Sequence, residues 1–371
     1  MKRILIYGLT AKLGGLENFI INHLRLMNTE GLEIHLLVHE TPIFEDRLRE
    51  KGFIIHQVPR RGENFLANIR QTKKLFKDYH FDTIWMHVCT LSTIEAIKQA
   101  WKANVGQRIV HVHCPQASGG WKMETFHKHH KKSIHKYANR YWACSQGAAD
   151  FSFSEKIQAS PSYALVHNAI DLDRFAYSPT KRTKIRKELA IGDEFVLGHI
   201  GHLVDVKNHD YLLDVFKSYH ERDNSAKLIL VGKGNLEEQI REKVIRLGLK
   251  ESVFFVGSKT NVADYYSAFD VLVFPSKYEG LPLSLVEAQA SGLPCLISKN
   301  IDEVVALTPL VQFASIEEDP SVWADALSQI EKEGERVSYD QMLRDAGFDL
   351  RQSVEIVRKY LLEEMNEDEI K

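Results

Sequence analysis

The sequence predicts an α/β protein of two Rossmann-like, doubly wound domains, each a parallel sheet with helices on both faces. Three observations carry this. Short apolar runs alternate with longer segments of helical spacing, the pattern of repeated strand–helix units. That alternation runs to about residue 144 and restarts near residue 196, after a polar connection at 167–181. The chain has 371 residues, 44% hydrophobic and 26% charged, which exceeds one core and suits two soluble domains.

The elements follow in order. Residues 3–7 are an apolar run halted by Gly8, a first strand rather than a secretion signal. Helices are expected at 17–28, 45–51, 64–78, 93–103 and 122–137, where apolar residues recur among charged ones. Strands are expected between them, at 34–38, 54–58, 83–87, 108–113 and 141–144. The second half repeats the scheme, with strands at 196–200, 227–231 and 253–256 and helices at 209–221, 236–247 and 262–268. A strand at 271–274 ends at Pro275-Ser276. The next helix has Pro282 in its first turn, where a missing N–H costs nothing, and is closed by Gly292 and Pro294; Cys295 opens another strand. The domains are then 1–167 and 168–347, with a last helix at about 348–371 (apolar at Val354, Val357, Tyr360 and Leu361) packing back on the first.

The net charge of −2 hides an asymmetry: residues 1–165 carry +9 and the remainder −11, and twelve of the 17 histidines lie in the first half. Two halves of opposite sign face different partners. No apolar run reaches the length of a membrane span, and no nucleic-acid-binding module is present. The four cysteines, Cys89, Cys114, Cys144 and Cys295, show no metal or redox spacing and are expected to be free thiols in a cytoplasmic protein.

Two carboxylates, Glu279 and Glu287, frame the turn from the 271–274 strand into the following helix. Free N–H groups at that helix start suit an anion, and carboxylates beside an anion make sense as acceptors for neutral hydroxyls. A diphosphate flanked by sugars offers both. The adjacent Gly14 and Gly15 follow the first strand and let backbone N–H groups approach a phosphate; a plain turn explains them equally. Lys207 follows the 196–200 strand and its glycine, where it can reach a diphosphate as a point charge, with His202 as a second cation when protonated. His111 and His113 end the 108–113 strand and point to the same side, placed to donate to developing charge. Asp171 and Asp173 have a metal-like spacing but lie in the connection, where no strand end holds an ion. The Gly232–Gly234 pair lacks the third glycine of a dinucleotide fingerprint. Residues 122–140 hold five lysines, Arg140 and four histidines against one glutamate, with Met123, Phe126, Ile134 and Tyr137 as an apolar strip. Such a helix suits an anionic membrane surface, to which Arg60, Arg61, Lys73 and Lys74 add charge.

The run PSKYEGLPLSLVEAQASGLP resembles the signature of the retaining nucleotide-sugar glycosyltransferases of family four. GGLENF, HNAIDLDRF, GHLVDVKNHDYLLDVF and LILVGKGNLEEQI are similar to other segments of that family, and the flavour is of bacterial capsule or exopolysaccharide transferases. The resemblance implies a GT-B fold, two Rossmann-like domains facing across a cleft. It implies Glu279 on the donor sugar's hydroxyls and Glu287 on the ribose, Lys207 and the Gly14-Gly15 backbone on the diphosphate, and His113 near the reacting carbon. Gly280, Leu281 and Pro282 then lie by the phosphates, and Val256 and Gly257 line the base. His202 stands where the family carries arginine, which loses the always-charged fork, and Ala169 replaces a glycine.

The function implied is transfer of a hexose or N-acetylhexosamine from a UDP-sugar to a lipid-linked or glycan acceptor in polysaccharide biosynthesis. No metal or other cofactor is required, since the nucleotide sugar is the co-substrate. The expected place is the cytoplasm, peripheral on the inner face of the membrane. The competing readings are a non-catalytic GT-B partner subunit and a sugar-nucleotide epimerase.

Overall fold

The computed structural model describes residues 1–11, 14–42, 45–116, 120–330 and 336–363. The chain forms two compact units. The first holds Met1–Ala169 and the segment from Leu350; the second is Ile170–Asp349.

The first unit is a seven-stranded parallel sheet: β1 (Lys2–Tyr7), β2 (Leu32–Val38), β3 (Ile54–Gln57), β4 (Thr83–Val88), β5 (Gln107–Val112), β6 (Arg140–Ala143) and β7 (Tyr163–Leu165), in the order β3-β2-β1-β4-β5-β6-β7. Every residue of β4 is buried, as expected for a central parallel strand covered on both faces. One layer packs Leu75, Phe76, Ile94, Ile97 and Phe153 on the sheet. The other packs Phe19, Ile20 and Leu24 together with Leu350, Val354, Val357, Tyr360 and Leu361 of the last helix, Leu350–Leu361. The expected final helix at 348–371 therefore ends at Leu361, and residues 364–371 of that expectation lie outside the described residues.

The second unit is a six-stranded parallel sheet: β8 (Val196–Ile200), β9 (Lys227–Val231), β10 (Val253–Gly257), β11 (Val271–Phe274), β12 (Cys295–Ser298) and β13 (Val311–Ala314), in the order β10-β9-β8-β11-β12-β13. In both sheets the order reverses beside the first strand, between β1 and β4 and between β8 and β11. Loops diverge there at the carboxyl ends of the strands and leave a crevice. At the opposite end of the second sheet, Asp270 is buried just before β11. It receives Arg182 at 2.7 Å, Arg186 at 2.6 Å and the Val196 N–H at 2.7 Å. Arg336 adds its guanidinium to the Phe269 and Ser291 carbonyls. This network ties helix Pro179–Glu188 to the strand bases.

Several short elements lie outside the sequence expectation, among them β7, β13, Gln146–Ser152, Pro179–Glu188, Pro320–Leu327 and Asp340–Asp345. The helix expected at 122–137 spans Trp121–Ser133, and a 3₁₀ turn, Ile134–Lys136, follows it.

Candidate functional site

The carboxyl end of the second sheet gathers the residues singled out around Glu279. After β8 the backbone leaves through Gly201 and His202 into a short 3₁₀ turn, Asp205–Lys207. The β9 loop presses against this segment: a Cβ on Gly232, at φ +148°, would lie 1.9 Å from the Gly201 carbonyl oxygen, and one on Gly234 would lie 2.2 Å from that of Leu203. Only glycine fits either position, so this glycine pair builds the loop wall. Gly257, at φ +72°, closes β10 and accepts the Gly232 N–H at 3.0 Å, which places Val256 and Gly257 beside the same loops.

Lys207 and Glu279, assigned separate tasks from the sequence, are an ion pair: Nζ lies 2.7 Å from Oε1, with the side chains 13% and 16% exposed. Lys207 also lies over the Phe274 ring, 4.5 Å from its centroid. Such a pair holds each charge ready while neutralising it. A ligand that presents an anion to the ammonium and a hydroxyl to the carboxylate can separate the two at little electrostatic cost. His202 is exposed. Gly280 and Leu281 continue the loop, and Pro282 is the N-cap of helix Leu283–Ala290 rather than a residue of its first turn. No side chain caps that helix start, so its first N–H groups are left for a ligand.

Glu287 lies in the second turn of this helix. Burial pushes its carboxyl up to about 7, against the pull of the Tyr266 hydroxyl and Arg174. Tyr266 Oη stands 2.7 Å from Glu287 Oε2. Tyr266 and Phe274 had no local signal in the sequence, because each acts through a residue distant along the chain, Glu287 and Lys207 respectively.

In the first unit, Gly14 is the N-cap of helix Gly15–Leu26 and offers no side-chain bond to it. Open space lies beside Gly15. Gly14, Gly15, Thr10, His87, His113 and Asn168 line one hollow of about 490 Å³ at the carboxyl ends of β1, β4 and β5. Gly8, at φ +137°, lets β1 end against His87, where a Cβ would meet the His87 backbone oxygen at 2.8 Å. His111 lies in β5 and His113 one residue beyond it, their rings 4.2 Å apart. Burial holds both neutral, His113 being lowered to about 3. A donor role for His113 is therefore that of a neutral N–H, not of an imidazolium.

Two further expectations change. Cys89 and Cys114 are joined as a disulfide, while Cys144 and Cys295 are free and buried. The 25-residue separation of Cys89 and Cys114 says nothing of pairing, but β4 and β5 are neighbours, so the strand ends bring the sulfurs together. On the basic helix, Met123 and Phe126 are exposed but Ile134 is wholly buried in the core. The exposed apolar group is instead Trp121, Met123 and Phe126, and Phe65 and Leu66 are exposed on helix Phe65–Asp78. Arg60 is paired with Glu40 at 2.6 Å and Lys74 with Asp78, which reduces the charge they add.

Residues 13–174 match the family described as Glycosyltransferase Family 4, and residues 181–346 match Glycosyl transferases group 1. The chain is 31% identical over 355 residues to EpsF of Bacillus subtilis, named as a glycosyltransferase, covering 92% of this chain and 91% of that one. It is 23% identical over 303 residues to the UDP-Gal:alpha-D-GlcNAc-diphosphoundecaprenol alpha-1,3-galactosyltransferase of Escherichia coli, covering 77% and 76%. The crystal structure of HepE of Anabaena in complex with UDP shares the fold, with a TM-score of 0.76 at 18% identity over 98% of this chain and all of that one. Two parallel α/β units, family matches in both halves and a full-length relative lead to one conclusion: the chain belongs to glycosyltransferase family four and has the GT-B fold.

Proposed function

We propose that this glycosyltransferase moves a hexose or N-acetylhexosamine from a UDP-sugar to a lipid-linked or glycan acceptor in polysaccharide biosynthesis, with retention of configuration. The Lys207–Glu279 pair carries the reading, since one partly buried contact supplies a cation for a leaving diphosphate and an acceptor for a sugar hydroxyl. Support for the donor comes from the UDP bound by HepE, and for the acceptor from the diphosphoundecaprenol named for the E. coli relative.

As the anomeric carbon–oxygen bond breaks, negative charge grows on the diphosphate. Lys207, His202 when protonated, and the N–H groups after Pro282 stabilise it, with Gly280 and Leu281 shaping the loop. Glu279 holds the sugar, Glu287 the ribose, and Val256 and Gly257 the base. In the first unit, Gly14 and Gly15 offer backbone N–H groups to phosphate, and the neutral His113 offers its ring to the reacting group. Fixed protein charges do this work without a metal.

The test presents purified protein with UDP-sugars and a lipid diphosphate acceptor in anionic vesicles, and reads the anomeric configuration of the product by NMR. A retained linkage is expected; an inverted linkage, or no product with any UDP-sugar, would overturn the reading. The exposed Trp121, Met123 and Phe126 beside Lys122 and Lys128 support a peripheral place on the cytoplasmic membrane face. No helix of the described residues is long and apolar enough to cross a membrane. Vesicle binding is expected at low salt and should weaken as salt rises; protein that stays unbound at low salt contradicts it.

Glu287 adds a pH dependence. Ribose hydroxyls donate to the ionised carboxylate, whose free-state value is raised to about 7. Below that value, binding must first remove a proton. Affinity for a UDP-sugar, whose diphosphate diester does not titrate here, is expected to rise with pH up to about 7, by at most about tenfold per unit, and then level off. Glu287→Gln flattens the profile. Calorimetry from pH 5.5 to 8 on both proteins checks this, and a profile that Glu287→Gln leaves unchanged would remove Glu287 from the ribose.

A further inference from the structure

Three neighbouring histidines of the first unit hold four ring nitrogens without a well-formed hydrogen bond: Nε2 of His87, both nitrogens of His111 and Nδ1 of His113. The three residues are buried, at 1%, 0% and 9% exposure. Buried polar atoms are nearly always satisfied, and several orphans at one point mark a missing partner.

The sheet makes the cluster. His87 of β4 stands in register with His111 of β5, and His113 returns to the same face two residues on. His87 Nδ1 lies 3.0 Å from His113 Nε2, and one ligand nitrogen from each of the three lies within 4.8 Å of the other two. Phe19 packs against all three rings. His23 is nearby but committed, with Nδ1 at 2.9 Å from the Phe19 oxygen and Nε2 at 3.1 Å from Ser353 Oγ. The Asn168 side chain and the Val166 backbone are marginal hydrogen-bond partners of His113 and His111, so Nε2 of His87 and one nitrogen of His111 are the atoms with no partner of any kind.

We propose that His87, His111 and His113 form a binding site for a borderline divalent transition-metal cation, of which zinc is the type. Three imidazoles on one point form a familiar zinc set with a fourth position open. The absence of carboxylates from the three donors disfavours magnesium and calcium, which demand oxygen. His87 and His113 also line the hollow of about 490 Å³, which gives an ion its entry and a fourth donor its room. The site shares His113 with the proposed transfer, but His87 and His111 have no part in that transfer and the ion is read without donor or acceptor, so the two readings can fail separately.

The experiment titrates the full chain, stripped with chelator, with cobalt(II) in the absence of donor and acceptor. One equivalent should bind with the visible d–d bands of a nitrogen-ligated tetrahedral ion and without thiolate charge transfer, and zinc should displace it. His87→Gln and His111→Gln should each weaken binding by about a hundredfold or more, since even second-shell changes cost about 10–100-fold. His129→Gln/His135→Gln, which removes exposed histidines of the basic segment, should change nothing. Circular dichroism checks the variants. If either core variant misfolds, the wild-type chain still decides through the ¹¹³Cd shift, which separates three nitrogen donors from sulfur or oxygen sets. No stoichiometric binding, a sulfur- or oxygen-type spectrum, or loss only in the His129/His135 variant would overturn the site.

Discussion

Glu279→Ala is expected to lower the rate of sugar transfer by about 10²–10³-fold or more while the protein stays folded. The residue holds two relationships, one to substrate hydroxyl and one to Lys207 at 2.7 Å. Removing it deletes the acceptor and also frees the ammonium, which remains over the Phe274 ring. Ground-state binding of UDP, which has no donor sugar, should therefore hold or tighten even as turnover collapses. That split separates a role in transfer from a role in folding. Lys207→Met should cost both UDP affinity and rate, and the double variant should lose less than the sum of the two, as expected for groups in contact. Near-normal turnover of Glu279→Ala, with transfer measured by release of UDP, would end the assignment.

Asp270→Ala is expected to destabilise the second unit by about 3–5 kcal/mol. Its carboxylate receives two guanidinium groups and the Val196 N–H, all within 2.7 Å. Asp270 and Arg186 are each more than nine-tenths buried. Deletion of the anion leaves Arg182, Arg186 and Arg336 close together with no carboxylate between them. Urea unfolding should show an earlier midpoint for the transition of residues 170–349. A shift below about 1 kcal/mol would mean that water or carbonyl oxygens replace the carboxylate without loss. The site residues lie at the other end of the same strands, so UDP binding by the folded variant should persist.

Elements whose signal is local were legible. The strands at 196–200, 227–231 and 271–274 and the helix at 262–268 are apolar runs or helical repeats with clear stops, and they fold within those bounds. β7 and β13 escaped notice because they are edge strands of only three and four residues, too short to show an alternation. The loop carrying Glu279 was legible for the same local reason as the helix after it. Its pairing with Lys207 was not, since 72 residues separate the partners and no period in the sequence links them. The same holds for Asp270 with Arg182 and Arg186, for Cys89 with Cys114, and for His87, which joins His111 only through the register of two strands. Sequence patterns located the loops at the strand ends, while tertiary packing decided which side chains meet there.

The last helix has a consequence for how the chain is made. The second unit is one unbroken stretch, but the first closes only when Leu350–Leu361 arrives. On the ribosome the first unit is therefore the earliest to begin and the last to finish. At about 5–20 residues per second, the stretch between Ile170 and Asp349 takes roughly 10–40 s to emerge. Through that interval Trp142, whose ring ends 5.0 Å from that of Tyr360, lacks its cover, as do Phe19, Ile20 and Leu24. A chain stalled or cut anywhere in the second unit presents an open apolar face, the surface that chaperones and proteases engage. Helix Leu350–Leu361 thus closes a core that β1 began, and a chain without it cannot hide that core.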